Sequence, residues 1–91
     1  MNLSETFIRV PECLCEYMDD GAIVYNPLTT CAFELNTSSL AIWELFDESL
    51  DVGDIIALLT ELYEAPDDTI RRDVETVIQE LLSNNALLKT H

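Results

Sequence analysis

The feature that most restricts the fold is the run at residues 33–46, Phe-Glu-Leu-Asn-Thr-Ser-Ser-Leu-Ala-Ile-Trp-Glu-Leu-Phe, where a strand stops and a helix starts within one or two residues. Phe33 and Leu35 alternate with Glu34 and read as the end of a half-buried strand. Asn36 offers a side-chain oxygen to the free backbone N–H groups of the next turn, which makes it the expected N-cap. From Leu40 to Phe46 only Glu44 is polar. The helix there is apolar around most of its circumference and is expected to stand enclosed, as the central post of the core.

Upstream of this junction the chain alternates, with Leu14, Glu16 and Met18 on one side and Cys15 and Tyr17 on the other. Asp19-Asp20-Gly21 supplies a tight turn in which Gly21 can take positive φ, and Ala22-Ile23-Val24-Tyr25 is the returning strand. A second turn, Asn26-Pro27-Leu28-Thr29-Thr30, uses Pro27 to preset φ and leads into a third strand at residues 31–35. These strands form an antiparallel meander whose third member keeps one edge unpaired unless something covers it. Residues 1–12 carry no clear period, and Pro11 marks a boundary.

Downstream, Asp51 caps a second helix whose apolar residues Val52, Ile55, Ile56, Leu59, Leu62 and Tyr63 follow the helical period. Pro66-Asp67-Asp68 opens a third helix with Ile70, Val74, Val77, Ile78, Leu81 and Leu82 on its apolar stripe, and Asn84-Asn85 stops it. Its stripe is slightly wider than one buried face needs, so Ile70, Val74, Ile78 and Leu81 are either core or the lining of a groove. Trp43 reads as core. Leu87 and Leu88 return as an apolar clip. The order β-β-β-α-α-α predicts an α+β, winged helix-turn-helix-like domain, a three-stranded antiparallel sheet followed by three helices, with an ordered core at about residues 14–88 of a single 1–91 unit.

Charge narrows the partners. The formal net charge is −14, from 18 acidic residues against Arg9, Arg71, Arg72 and Lys89, while 48% hydrophobic residues and only 2 Gly argue for an ordered chain. Such a field repels phosphate backbones and anionic membranes and attracts basic partners. The amino-terminal residues have neither a basic segment nor an apolar run of secretory length, and no stretch approaches the ~20 apolar residues of a membrane span. A cytoplasmic protein is expected, and Cys13, Cys15 and Cys31, odd in number and without paired spacing, suit a reducing compartment.

The inventory disfavours an enzyme. Cysteine nucleophiles need a neighbouring base, and the one histidine is His91 at the end of the sequence. Two glycines make no phosphate loop, and a zinc site lacks its fourth ligand. The pairs Asp19-Asp20, Asp47-Glu48 and Asp67-Asp68 read as solvated turns and helix-dipole partners, not as a calcium loop. No catalytic residue, metal or cofactor is expected. Arg71 and Arg72 sit in the first turn of the third helix, where the dipole disfavours cations. Either an Arg71–Glu75 pair offsets this or an acidic group on a bound peptide does.

The run at residues 33–46, the segment Val52-Gly-Asp-Ile-Ile56 and Arg72-Asp-Val-Glu-Thr-Val-Ile78 ahead of a Leu-rich helix end resemble the PqqD-like peptide chaperones. These are the RiPP recognition elements, which bind leader segments of ribosomally made precursor peptides. The resemblance spans about residues 14–88 and implies a non-catalytic domain in which the leader pairs as an extra strand with the third strand and settles against the third helix. Mapped onto this sequence, the strand is Cys31, Ala32, Phe33, Glu34 and Leu35, and the helix side chains are Arg71, Val74, Glu75, Ile78 and Leu82. The expected partners are a precursor peptide and a separate modifying enzyme, a radical-SAM enzyme or a lasso-type leader peptidase. The free edge supports strand addition on its own terms, because an incoming strand uses the same unpaired backbone groups.

Two other readings share the element order. A winged-helix DNA-binding regulator needs cations on its recognition helix, and here Asp73, Glu75 and Glu80 flank Arg71 and Arg72. An acidic assembly subunit of an enzyme complex would bind a folded partner and ignore every leader.

Overall fold

The computed structural model describes residues 1–46 and 50–90. The predicted meander is present as β2 (Leu14–Met18), β3 (Gly21–Asn26) and β4 (Cys31–Asn36), in the order β2-β3-β4, with Val24 opposite both Cys15 and Phe33. Gly21 has φ +154°, and a Cβ there would lie 1.9 Å from the Leu35 carbonyl oxygen. Glycine is therefore what lets β3 begin this close to β4. At the other turn Asn26, nearly buried, accepts from the Leu28 N–H and donates through Nδ2 to the Asn85 carbonyl, 2.8 Å away, which ties the sheet to the far end of the third helix.

The helices begin where the side chains dictate. Asn36 Oδ1 accepts from the Ser39 N–H at 2.9 Å and opens α1 (Thr37–Leu45). Asp51 and Asp54 form a reciprocal capping box at the start of α2 (Val52–Tyr63). Pro66 precedes α3 (Asp67–Ser83), whose first turn carries Asp67 and Asp68, and Asn85 takes the left-handed conformation just beyond its end. Asp47-Glu48 and His91 lie outside the described residues.

Two parts of the molecule depart from the sequence reading. Residues 1–12 are not featureless: β1 (Thr6–Arg9) pairs antiparallel with β5 (Leu87–Thr90), so the expected apolar clip is a strand in a second, two-stranded sheet. The segment before β1 also docks. The carbonyls of Leu3 and Glu5 accept from the N–H groups of Gly53 and Val52, satisfying two orphan donors at the start of α2. The second departure is at the end of α2, where Leu62 is 71% exposed and Tyr63 half exposed although both follow the helix's apolar period. Glu64 turns left-handed directly after them, so the last turn projects past the packed layer.

The core is one cluster. Ile42, Trp43 and Phe46 of the enclosed helix region meet Val24 and Leu35 from the sheet, Val52, Ile55 and Leu59 from α2, and Ile70, Val74, Ile78 and Leu81 from α3. Phe7 of β1 packs edge-on against Phe46, with ring centroids 6.2 Å apart. Trp43 is core as expected. Its face carries the Arg9 guanidinium at 5.1 Å, and its buried Nε1 has no well-formed acceptor among the described residues, only the weakly interacting Cys15 thiol beside it. Burial pushes that thiol's pKa upward.

Candidate functional site

The outer edge of β4 is the place to begin. β3 occupies one side of this strand, and among the described residues no strand pairs with the other. Alternate residues of such an edge turn N–H and C=O groups outward, at the spacing an added strand needs. Burial alternates along it, with Leu35 buried, Phe33 and Cys31 half-buried, and Ala32 and Glu34 exposed.

Beside the carboxyl end of β4 lies a cleft of about 530 Å³. The β4 wall contributes Glu34, Leu35 and Asn36, and α1 contributes Ser38, Ser39 and Ile42. Across from them stands the α3 row Asp73, Thr76, Val77 and Glu80, with Met18 and Asp20 closing the turn end. The cause is geometric. Strand β4 passes into α1 at Asn36 without a loop, so the helix starts over the sheet edge, and α3 packs across α1 but stops short of β4. Residues 73, 77 and 80 of a helix share one face, adjacent to the fully buried row of Val74, Ile78 and Leu81.

The predicted site residues fall into three groups. Glu34 and Leu35 line the cleft, and Cys31, Ala32 and Phe33 lie on the same strand edge. Val74 and Ile78 are fully buried beneath α3 and offer no surface to a docked chain, and Leu81 is likewise core, while Ile70 borders a separate hollow with Ile42, Leu59 and Tyr63. Arg71, Glu75 and Leu82 lie on other flanks of the helix. Arg71 borders a hollow with Leu3, Gly53 and Ile56, while Glu75 and Leu82 face β1 and β5 together with Phe7 and Lys89. Arg71 forms the expected i,i+4 pair with Glu75, Nε to Oε1 at 3.1 Å, but α3 begins at Asp67, so Arg71 and Arg72 stand in its second turn and not its first, past most of the dipole's reach.

The sequence reading missed Asp73, Thr76, Val77 and Glu80. A signal existed: Val77 is the edge of the buried stripe, and Asp73, Thr76 and Glu80 form the row beside it. Apolar periodicity locates the stripe but not which of its two flanks faces the sheet edge.

Among the described residues no group of three His, Cys, Asp or Glu side chains is placed to hold a metal ion. No helix there is long and apolar enough to cross a membrane. The site offers a backbone edge, an apolar floor and carboxylates, which suit binding an extended chain.

Comparison with known proteins bears on the fold. Residues 21–87 match the family model described as coenzyme PQQ synthesis protein D (PqqD). Two solved structures share the fold. One is TbiB1 in complex with the TbiA(beta) leader peptide, with a TM-score of 0.78 at 20% identity over 88% of this chain and 93% of that one. The other is lasso peptide synthetase B1 complexed with the leader peptide, with a TM-score of 0.79 at 22% identity over 90% of this chain and 96% of that one. No curated protein matches the sequence.

Proposed function

The chain belongs to the PqqD family, and from that premise we propose that it captures the leader segment of a ribosomally made precursor peptide by strand addition to β4. The observation that carries this reading is the unpaired β4 edge opening onto a cleft walled by α3. Two structural neighbours that share the fold hold leader peptides, which supports the same mode of use. The role is recognition and not bond chemistry. Holding the leader beside a separate maturation enzyme, a radical-SAM enzyme or a leader peptidase, raises the effective concentration of the attached core segment there.

Magnitudes fit such a role. About four strand hydrogen bonds at ~1 kcal/mol each and three apolar anchors at ~2 kcal/mol each, set against an association cost of at least ~4 kcal/mol, leave on the order of −6 kcal/mol. This corresponds to roughly tens of micromolar before charge is counted. DNA binding is a poor alternative, because the exposed α3 residues beside β4 include Asp73 and Glu80, which repel phosphate.

The test is titration of the protein with synthetic leader segments of the short precursor peptides encoded next to it, followed by calorimetry or fluorescence anisotropy. Saturable binding near tens of micromolar is expected for one of them. Failure of every such peptide to saturate at concentrations about tenfold higher contradicts the proposal.

A further inference from the structure

The cleft is lined by charge of a single sign. Asp20, Glu34, Asp73 and Glu80 stand around it with no Lys or Arg among its lining residues, and its floor is Leu35, Ile42 and Val77, which are 3%, 3% and 6% exposed. The Arg71–Glu75 and Lys89–Glu5 ion pairs both lie outside the cleft. On α3, Asp73 and Glu80 bracket Val77 at i−4 and i+3, so two carboxylates flank an apolar position along about 10 Å of helix. A strand presents side chains to one face every second residue, about 7 Å apart. A long cationic side chain two positions from an apolar residue therefore reaches a carboxylate when the apolar residue rests on Val77 and Ile42.

Resting on the peptide-capture reading, we infer that this cleft selects a particular class of leader. The class is an extended segment with an apolar residue and, at the second position on at least one side of it, a Lys or Arg that pairs with Asp73 or Glu80. The apolar residue supplies burial and the cation supplies selectivity. A leader carrying Asp or Glu at that second position brings like charges together and is rejected. This selectivity is local. It differs from the general attraction of a −14 chain for any basic peptide, which acts through the long-range field.

A displayed library of random 12-residue peptides selected on three forms of the full chain tests the inference: the wild type, Asp73→Asn/Glu80→Gln, and Glu12→Gln/Glu61→Gln. The last removes the same charge at exposed positions outside the cleft. Peptides selected on the wild type are expected to show Lys or Arg two positions from an apolar residue and to protect residues 31–35 from amide exchange. On Asp73→Asn/Glu80→Gln their affinity falls about threefold for each such cation, so about threefold for peptides with one and roughly tenfold for peptides with two, and on Glu12→Gln/Glu61→Gln it falls less than for the cleft variant, by under about twofold. Peptides that protect residues 31–35 without this cation pattern, or that weaken equally on both double variants, overturn the inference and leave peptide capture standing. If no selected peptide protects residues 31–35, the capture reading fails and the inference fails with it.

Discussion

The two flanks of α3 present opposite solutions to one problem. On one flank the chain closes itself: β1 and β5 pair, Phe7 fills the space beneath, and two ion pairs form, Lys89 Nζ 3.5 Å from Glu5 Oε2 and Arg71 held to Glu75. On the other flank β4 stops at a bare edge, and Asp73 and Glu80 face a cleft without a cation among its lining residues. A self-complementary flank contributes to stability. An incomplete one leaves backbone groups and charge for a partner to satisfy. Substitutions on the closed flank should therefore alter folding and those on the open flank binding.

The largest effect is expected from Phe7→Ala, which empties a buried aromatic site against Phe46 and should cost about 3–5 kcal/mol in denaturant unfolding. A loss below about 1 kcal/mol would mean that the β1–β5 ribbon is an ornament and the contrast between flanks is false. Gly21→Ala is next. The new Cβ meets the Leu35 carbonyl oxygen, so β4 must shift, and roughly 2–3 kcal/mol of stability should be lost together with peptide affinity. Unchanged affinity in that variant would argue against β4 as the docking edge. Arg71→Ala is the mildest. The pair is half exposed and worth about 0.3–0.5 kcal/mol, and peptide binding should not change, since Arg71 lies away from the cleft. A several-fold loss of affinity there would instead place the peptide on the other side of α3.

Much of this contrast was legible in the sequence, in the parts that depend on near neighbours. Asn36, Asp51 and Asn85 mark their helix ends because capping is decided within three or four residues. Gly21 and the alternation of residues 14–18 and 31–35 locate the meander and its free edge. The β1–β5 ribbon was not legible. Its strands are four residues each, Thr6 pairs with Thr90, and neither has a period of its own long enough to read. The cleft wall was half legible. The stripe of Val74, Ile78 and Leu81 was visible, but which flank of it opens toward β4 is set by how α3 crosses α1, and that is tertiary packing.

The account stands on β4 as the edge that receives the peptide, and amide hydrogen exchange with and without a saturating leader peptide measures this directly. Protection is expected in residues 31–36 and in the cleft-facing turns of α3 around residues 73–80, with β1, β5 and β2 unchanged. Protection that falls on β2 or on the β1–β5 ribbon while β4 exchanges as before would contradict it.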